Sequence, residues 1–323
     1  METAPWEPRW APLRDILSWL LILLGLAGNL IGLIVIQKVK IGFPATRFLL
    51  HLQFLWDGVG CIIVAIYWIT FHLNLSLNTI KGPAFAYCWA NLFPFLIITT
   101  LSSVNLVLLT ADRFWSIVLF RTYPRDSKCY QIALFGISFV YAGSLASTCF
   151  VVAYYDTNIA ILDAYNVQMF RKVYWILLFV FAYLIPACGV TAMQTKILLV
   201  LRRLVSNSGS RNLSFHLSDP LTGTTTARSV RTASVGVGVI LINFILARMY
   251  CHLEYVLSSY GLMKMILKGG WQNYCIFLYT TNFVVDPFAL ILTSTMVRTW
   301  ILGKLISLMA KGRRFVSKCF GRQ

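Results

Sequence analysis

Stretches of about 20 mainly apolar residues recur along almost the whole chain, and that is the length a helix needs to cross the ~30 Å hydrocarbon core of a bilayer. Lipid offers no water to an unpaired backbone, so each stretch has to close its own hydrogen bonds as a helix. Seven spans are expected, at 13–37, 46–72, 84–118, 129–154, 173–201, 229–257 and 270–297. Composition agrees, with 58% of the 323 residues hydrophobic and 12% charged, against about 25% charged in ordinary soluble domains. The fold class is therefore an all-α membrane protein, a seven-transmembrane helix bundle. Residues 1–12 read as a short extracellular N-terminus, 13–297 as the bundle, and 298–323 as an amphipathic helix with a basic cytoplasmic tail. The first span is long enough to act as the insertion signal itself, with no separate cleaved leader.

Orientation follows from the Lys and Arg residues beside the spans, because the cytoplasmic side holds the excess. Of the 28 such residues, 20 fall on the side of the C-terminus, 7 on the other side, and Arg248 lies inside a span. The N-terminus is expected outside and the C-terminus in the cytoplasm, with the chain in the plasma membrane. A net charge of +17 could suggest nucleic acid, but these basic residues flank spans rather than line one solvent-facing surface. Membrane lipids are the expected partner of that charge, and nucleic acid is not.

The longest cytoplasmic loop, 202–228, is rich in Ser, Thr, Gly and Asp, which predicts a segment without a packed core. Just beyond it, Arg228 and Arg231 precede hydroxyl residues up to Ser234, a pattern open to phosphorylation or to plain solvation. Asn74-Leu75-Ser76 is a glycosylation sequon close to a span end. Over 296–309, Val297, Trp300, Ile301, Leu305 and Leu308 share one helical face, which suits a helix lying on the inner membrane surface. Cys319 in the basic tail could carry an acyl chain or remain an ordinary thiol.

Ionisable side chains inside a span are costly and mark function, or else a structural pair. Here they are Asp57, Asp112 with Arg113, Arg248, Glu254 and Asp286. Several stand in local patterns whose order along the chain resembles the rhodopsin-like G-protein-coupled receptors. GLAGNLIG places Asn29 like that family's first-span asparagine, and HLQFLWD places Asp57 like its buried aspartate. In the third span Cys88, Ser102 and LLTADRF follow the family, with Asp112, Arg113 and Phe114 for Asp-Arg-Tyr. Pro186 matches the fifth-span proline. TTNFVVDPFAL matches the seventh-span motif through Asn282, Asp286 and Pro287.

That resemblance implies a receptor that passes an extracellular ligand signal to a heterotrimeric G protein, with Asp112, Arg113 and Phe114 as the switch. It also implies a buried polar site of Asn29, Asp57, Ser102, Asn282 and Asp286, where the family binds sodium through groups like Asp57, Ser102 and Asp286. No other cofactor is implied. Two carboxylates facing one site repel, so one has to bind a cation, pair with a cationic side chain or take up a proton.

The departures are as informative. The resemblance implies a disulfide from Cys88 to the second outer loop, but 154–175 contains no cysteine, so the bond is expected to be absent. The sixth span lacks the family's Cys-Trp-x-Pro and should be less kinked for want of the proline. Arg248 stands where that Trp would be. Gln194 and Leu290 replace two tyrosines that help hold the family's active state. For Arg248 the expectation is an internal ion pair with Asp57 and Asp286; the alternative is a place in the ligand cavity beside His252. Phe95 and Thr280 stand where amine receptors and opsins carry an Asp and a Lys, so the ligand is expected to be a peptide or a small non-amine molecule. Phe95, Arg248, His252, Tyr255 and Tyr279 are the expected pocket residues.

No catalytic constellation is visible. The four histidines lack metal-ligand spacing, and there is no CxxC pair or phosphate-cradling glycine loop, so an enzyme is not expected. Two competing readings remain: a seven-helix transporter or channel using Asp57, Asp286 and Arg248, and a receptor-like decoy that does not signal.

Overall fold

The computed structural model describes residues 7–39, 43–72, 93–157, 164–208, 220–262, 270–293 and 295–320. Asn74 and Cys88, and with them the sequon and the question of the disulfide, lie outside the described residues. Among those described there is no strand. The helices are α1 (Glu7–Lys38), α2 (Pro44–His72), α3 (Phe93–Val118), α4 (Lys128–Thr157), α5 (Ala164–Leu178), α6 (Ile185–Ser208), α7 (Pro220–Ser259), α8 (Gly270–Thr293) and α9 (Thr295–Phe320).

Among the described residues six stretches are long and apolar enough to cross a membrane: Pro12–Lys38, Pro44–Thr70, Phe93–Val118, Lys128–Ser147, Lys172–Arg203 and Gly238–Ser259. They correspond to the first six expected spans; the seventh coincides with α8, which is not among these six. α1 packs against α2 and α8, α8 against α7, and α7 against both α5 and α6. α3 touches α2, α4 and α6, which makes it the shared inner element.

The loop expected over 202–228 is shorter in the structure. α6 runs on to Ser208 and α7 starts at Pro220, a residue whose missing N–H costs nothing in a first helical turn. Polar Ser and Thr weaken a helix only slightly, so α7 propagates outward from its apolar half. It carries no proline beyond that first residue and runs 40 residues without interruption to Ser259, with Gly261 at φ 75° just beyond its end. There the Leu262 N–H reaches back to Leu257 O at 3.1 Å, a closure that favours glycine.

The fifth span is interrupted. Phe179–Leu184 forms a π turn between α5 and α6, in which the Ile185 N–H bonds Val180 O. Pro186 has no N–H to donate, and the wider turn relieves its clash with the preceding carbonyls. Phe181 O is left without that helical donor, and the Tyr141 hydroxyl of α4 donates to it instead.

Apolar burial alone does not hold helices together in lipid, so close packing and polar contacts have to. Ile22, Cys61, Val64, Trp68, Leu101 and Phe283 join α1, α2, α3 and α8. Glycines permit the approach: a Cβ on Gly60 would lie 2.5 Å from Phe283 Cζ, and one on Gly32 2.9 Å from the Phe54 ring. Leu106, Tyr183, Val190 and Phe244 join α3, α6 and α7.

α9 follows α8 almost at once and is longer than the amphipathic segment expected over 296–309. Val297 is buried, while Leu302, Ile306 and Met309 form an exposed apolar stripe. The side chains of Leu305, Leu308 and Cys319 lie outside the described residues.

Candidate functional site

Near the C-terminal end of α3, Asp112 is fully buried. Its Oδ2 accepts from Thr46 Oγ1 of α2 at 2.6 Å. Its Oδ1 accepts from the hydroxyls of Tyr123 at 2.8 Å and Tyr130 of α4 at 3.3 Å. Three hydroxyls therefore tie the carboxylate to α2, to the connection after α3 and to α4. Charge-assisted bonds of this kind are the stronger class. Arg113 and Phe114, the next two residues, are partly exposed. Trp115, Tyr123 and Tyr130 pack edge to face around the same site. Burial, and then the Asp112 carboxylate, raise the Tyr123 phenol above its ordinary value, so it stays a donor.

Halfway through the helices, Asp57, Ser102 and Asp286 come together as expected, around a residue the sequence reading passed over. Gln53 Nε2 lies 3.2 and 3.0 Å from the two Asp57 oxygens, 2.9 Å from Ser102 Oγ and 2.8 Å from Asp286 Oδ2. Ser102 Oγ donates to Asp57 Oδ1 at 2.6 Å. Gln53 Oε1 accepts from Asn105 Nδ2 at 2.8 Å, and that nitrogen also donates to Leu49 O at 2.9 Å. Gln53, Asp57, Ser102 and Asn105 are all buried. The signal for Gln53 was its place four residues before Asp57, one turn away on the same face.

The two asparagines expected in this cluster bond elsewhere. Asn29 Nδ2 donates to Gly25 O and Phe283 O, both at 2.9 Å, fastening α1 to α8. Asn282 Oδ1 accepts from Asn243 Nδ2 at 2.6 Å, fastening α8 to α7. Pro287 is buried and faces Gly28, where a Cβ would come within 3.1 Å of its Cγ.

Arg248 does not form the expected pair: no carboxylate oxygen among the described residues lies within 4.0 Å of it. Its Nη2 donates to Thr99 O at 2.5 Å, and its guanidinium carbon sits 5.0 Å from the Phe244 ring centre and 5.1 Å from that of Tyr279. Two ring faces and one carbonyl take the place of the anion. Tyr279 packs edge to face on Phe95 at 5.3 Å, and its hydroxyl lies 3.4 Å from His252 Nε2. Four of the five expected pocket residues are thus neighbours. The fifth, Tyr255, stacks flat on Trp175 of α5 at 4.4 Å.

Nearby, the Cys275 thiol donates to buried Glu254 at 2.7 Å, and Cys251 and Cys275 remain free thiols. No group of three or more His, Cys, Asp or Glu arranged to hold a metal ion occurs among the described residues.

No family model matches the chain, and no curated protein matches it either.

Proposed function

We propose that the chain is a seven-span plasma-membrane receptor, with its N-terminus outside, that passes the binding of an extracellular ligand to a heterotrimeric G protein. The observation that carries this reading is the set of three hydroxyls on Asp112 beside Arg113. A buried carboxylate held by hydroxyls from three segments can be released when those segments part, and its neutralising role for the adjacent guanidinium changes with it. The central position of α3 supports the reading, because movement of α6 or α4 is felt directly there. α8, with its buried Asp286 and Pro287, supplies the seventh crossing. The ligand, a peptide or a small non-amine molecule, meets Phe95, Tyr279, His252 and Arg248.

The test is basal nucleotide exchange on a panel of G proteins in membranes holding the protein. Wild type is expected to raise exchange above empty membranes, Asp112→Asn to raise it further, and Arg113→Ala to abolish it. Silence of both wild type and Asp112→Asn across the panel overturns the proposal.

A further inference from the structure

The resemblance that suggests a receptor also implies a sodium ion at Asp57, Ser102 and Asp286. The residues present do not fit one. Four oxygen atoms surround the position a cation would take, but at its centre stands Gln53 Nε2, 2.8 to 3.2 Å from each of them. Those are N–H···O distances. Hard cations of about calcium's size draw oxygen ligands to roughly 2.3–2.6 Å, and the N–H groups of an amide present positive charge to any ion that approaches. Rotating the amide does not open the site. The Asn105 nitrogen donates to Gln53 Oε1, so exchanging the oxygen and nitrogen of Gln53 would set donor against donor on one side and oxygen against carboxylate on the other. Asn105 is itself fixed by Leu49 O.

We infer that the Gln53 side chain is a built-in substitute for the cation's bridging contacts, though not for its charge: it ties α2, α3 and α8 together through one amide and closes the site to sodium. Its donors reach Asp57 on its own helix, Ser102 on α3 and Asp286 on α8, the same helices that an ion there would bridge. The inference concerns the ion site alone and stands whether or not the chain couples to a G protein.

The experiment uses the full chain in lipid nanodiscs and reads thermal unfolding in sodium chloride against choline chloride at equal ionic strength. Wild type is expected to unfold at the same temperature in both. Gln53→Ala and Gln53→Met, which remove the donors with and without a loss of volume, are each expected to gain a saturating rise of a few degrees in sodium. Adding Asp57→Asn is expected to abolish that gain. A saturating sodium response in wild type that Asp57→Asn removes overturns the inference, and so do folded Gln53 variants that stay indifferent to sodium. If neither variant folds, the wild-type comparison decides alone: indifference supports the closed site and a response overturns it.

Discussion

Oδ1 of Asp112 accepts the phenol proton of Tyr123 at 2.8 Å, across a chain reversal of 11 residues. The bond closes the end of α3 onto the segment that leads into α4. Tyr123→Phe deletes it while leaving Thr46 and Tyr130 in place. A bond to a charged group contributes about 1.5–3 kcal/mol, and with two hydroxyls remaining the loss should fall near the lower end. Equilibrium unfolding in detergent or nanodiscs measures it; a variant as stable as wild type would count against this geometry.

The same residue sets a pH dependence. Burial and the neighbouring carboxylate raise the phenol above its ordinary value of 10.0. The folded protein therefore holds this proton more tightly than the unfolded chain. The stability that depends on it is complete below pH 10 and is lost as pH climbs above that value. Wild type should lose melting temperature faster than Tyr123→Phe in that alkaline range, and parallel slopes would sink the idea.

Asn105 orients Gln53, so the two should be energetically coupled. Asn105→Leu removes the donor to both Leu49 O and Gln53 Oε1. In a double-mutant cycle with Gln53→Leu, coupling of about 0.6 kcal/mol, and at most about 1.7, is expected for a hydrogen bond between membrane helices. Additive losses would mean that the amide is positioned by other contacts.

Gly60 admits the Phe283 ring where a Cβ would stand 2.5 Å away. Gly60→Ala should cost about 1–3 kcal/mol through overpacking. Trimming the ring with Phe283→Leu in the same chain should recover part of that loss. Unfolding of the single and double variants gives the comparison, and no recovery would place the strain elsewhere.

Arg248→Lys keeps the charge but not the planar guanidinium whose carbon sits 5.0 Å from the Phe244 ring centre and 5.1 Å from that of Tyr279. An ammonium cannot stack on both faces while reaching Thr99 O. A loss of about 1–2 kcal/mol is expected from the ring contacts, read as a lower melting temperature. If the lysine variant matches wild type, charge rather than shape is what the site requires.

The helices were legible because span length and apolar runs are properties of neighbouring residues, whereas the closeness of Asp57, Ser102 and Asp286 was expected only through the family resemblance. Partners set by the rotation of one helix against another were not. Thr46 meets Asp112 across 66 residues and Asn243 meets Asn282 across 39, and no local spacing announces either pair. Arg248 shows the limit most clearly. Charge balance pointed it toward two carboxylates, whereas the structure sets aromatic faces and a backbone oxygen against it and leaves its buried Nε without a hydrogen-bond partner among the described residues. Gln53 was readable in part, since its turn-spacing from Asp57 lies in plain view. What its amide displaces depends on α3 and α8.

The glycines divide the molecule unequally. On α1 and α2 they seat aromatic rings almost on the backbone, leaving Gly32 and Gly60 no slack, whereas nothing lies within 4 Å of where a Cβ would stand on Gly136, Gly143, Gly189 or Gly238 of α4, α6 and α7. The first two glycines face a neighbouring helix, whereas the other four stand at partly or fully exposed faces of their own helices. A larger residue is therefore blocked at Gly32 and Gly60 and has room at the other four, so the seams of α1 with α2 and of α2 with α8 constrain the sequence far more closely than these positions of α4, α6 and α7 do.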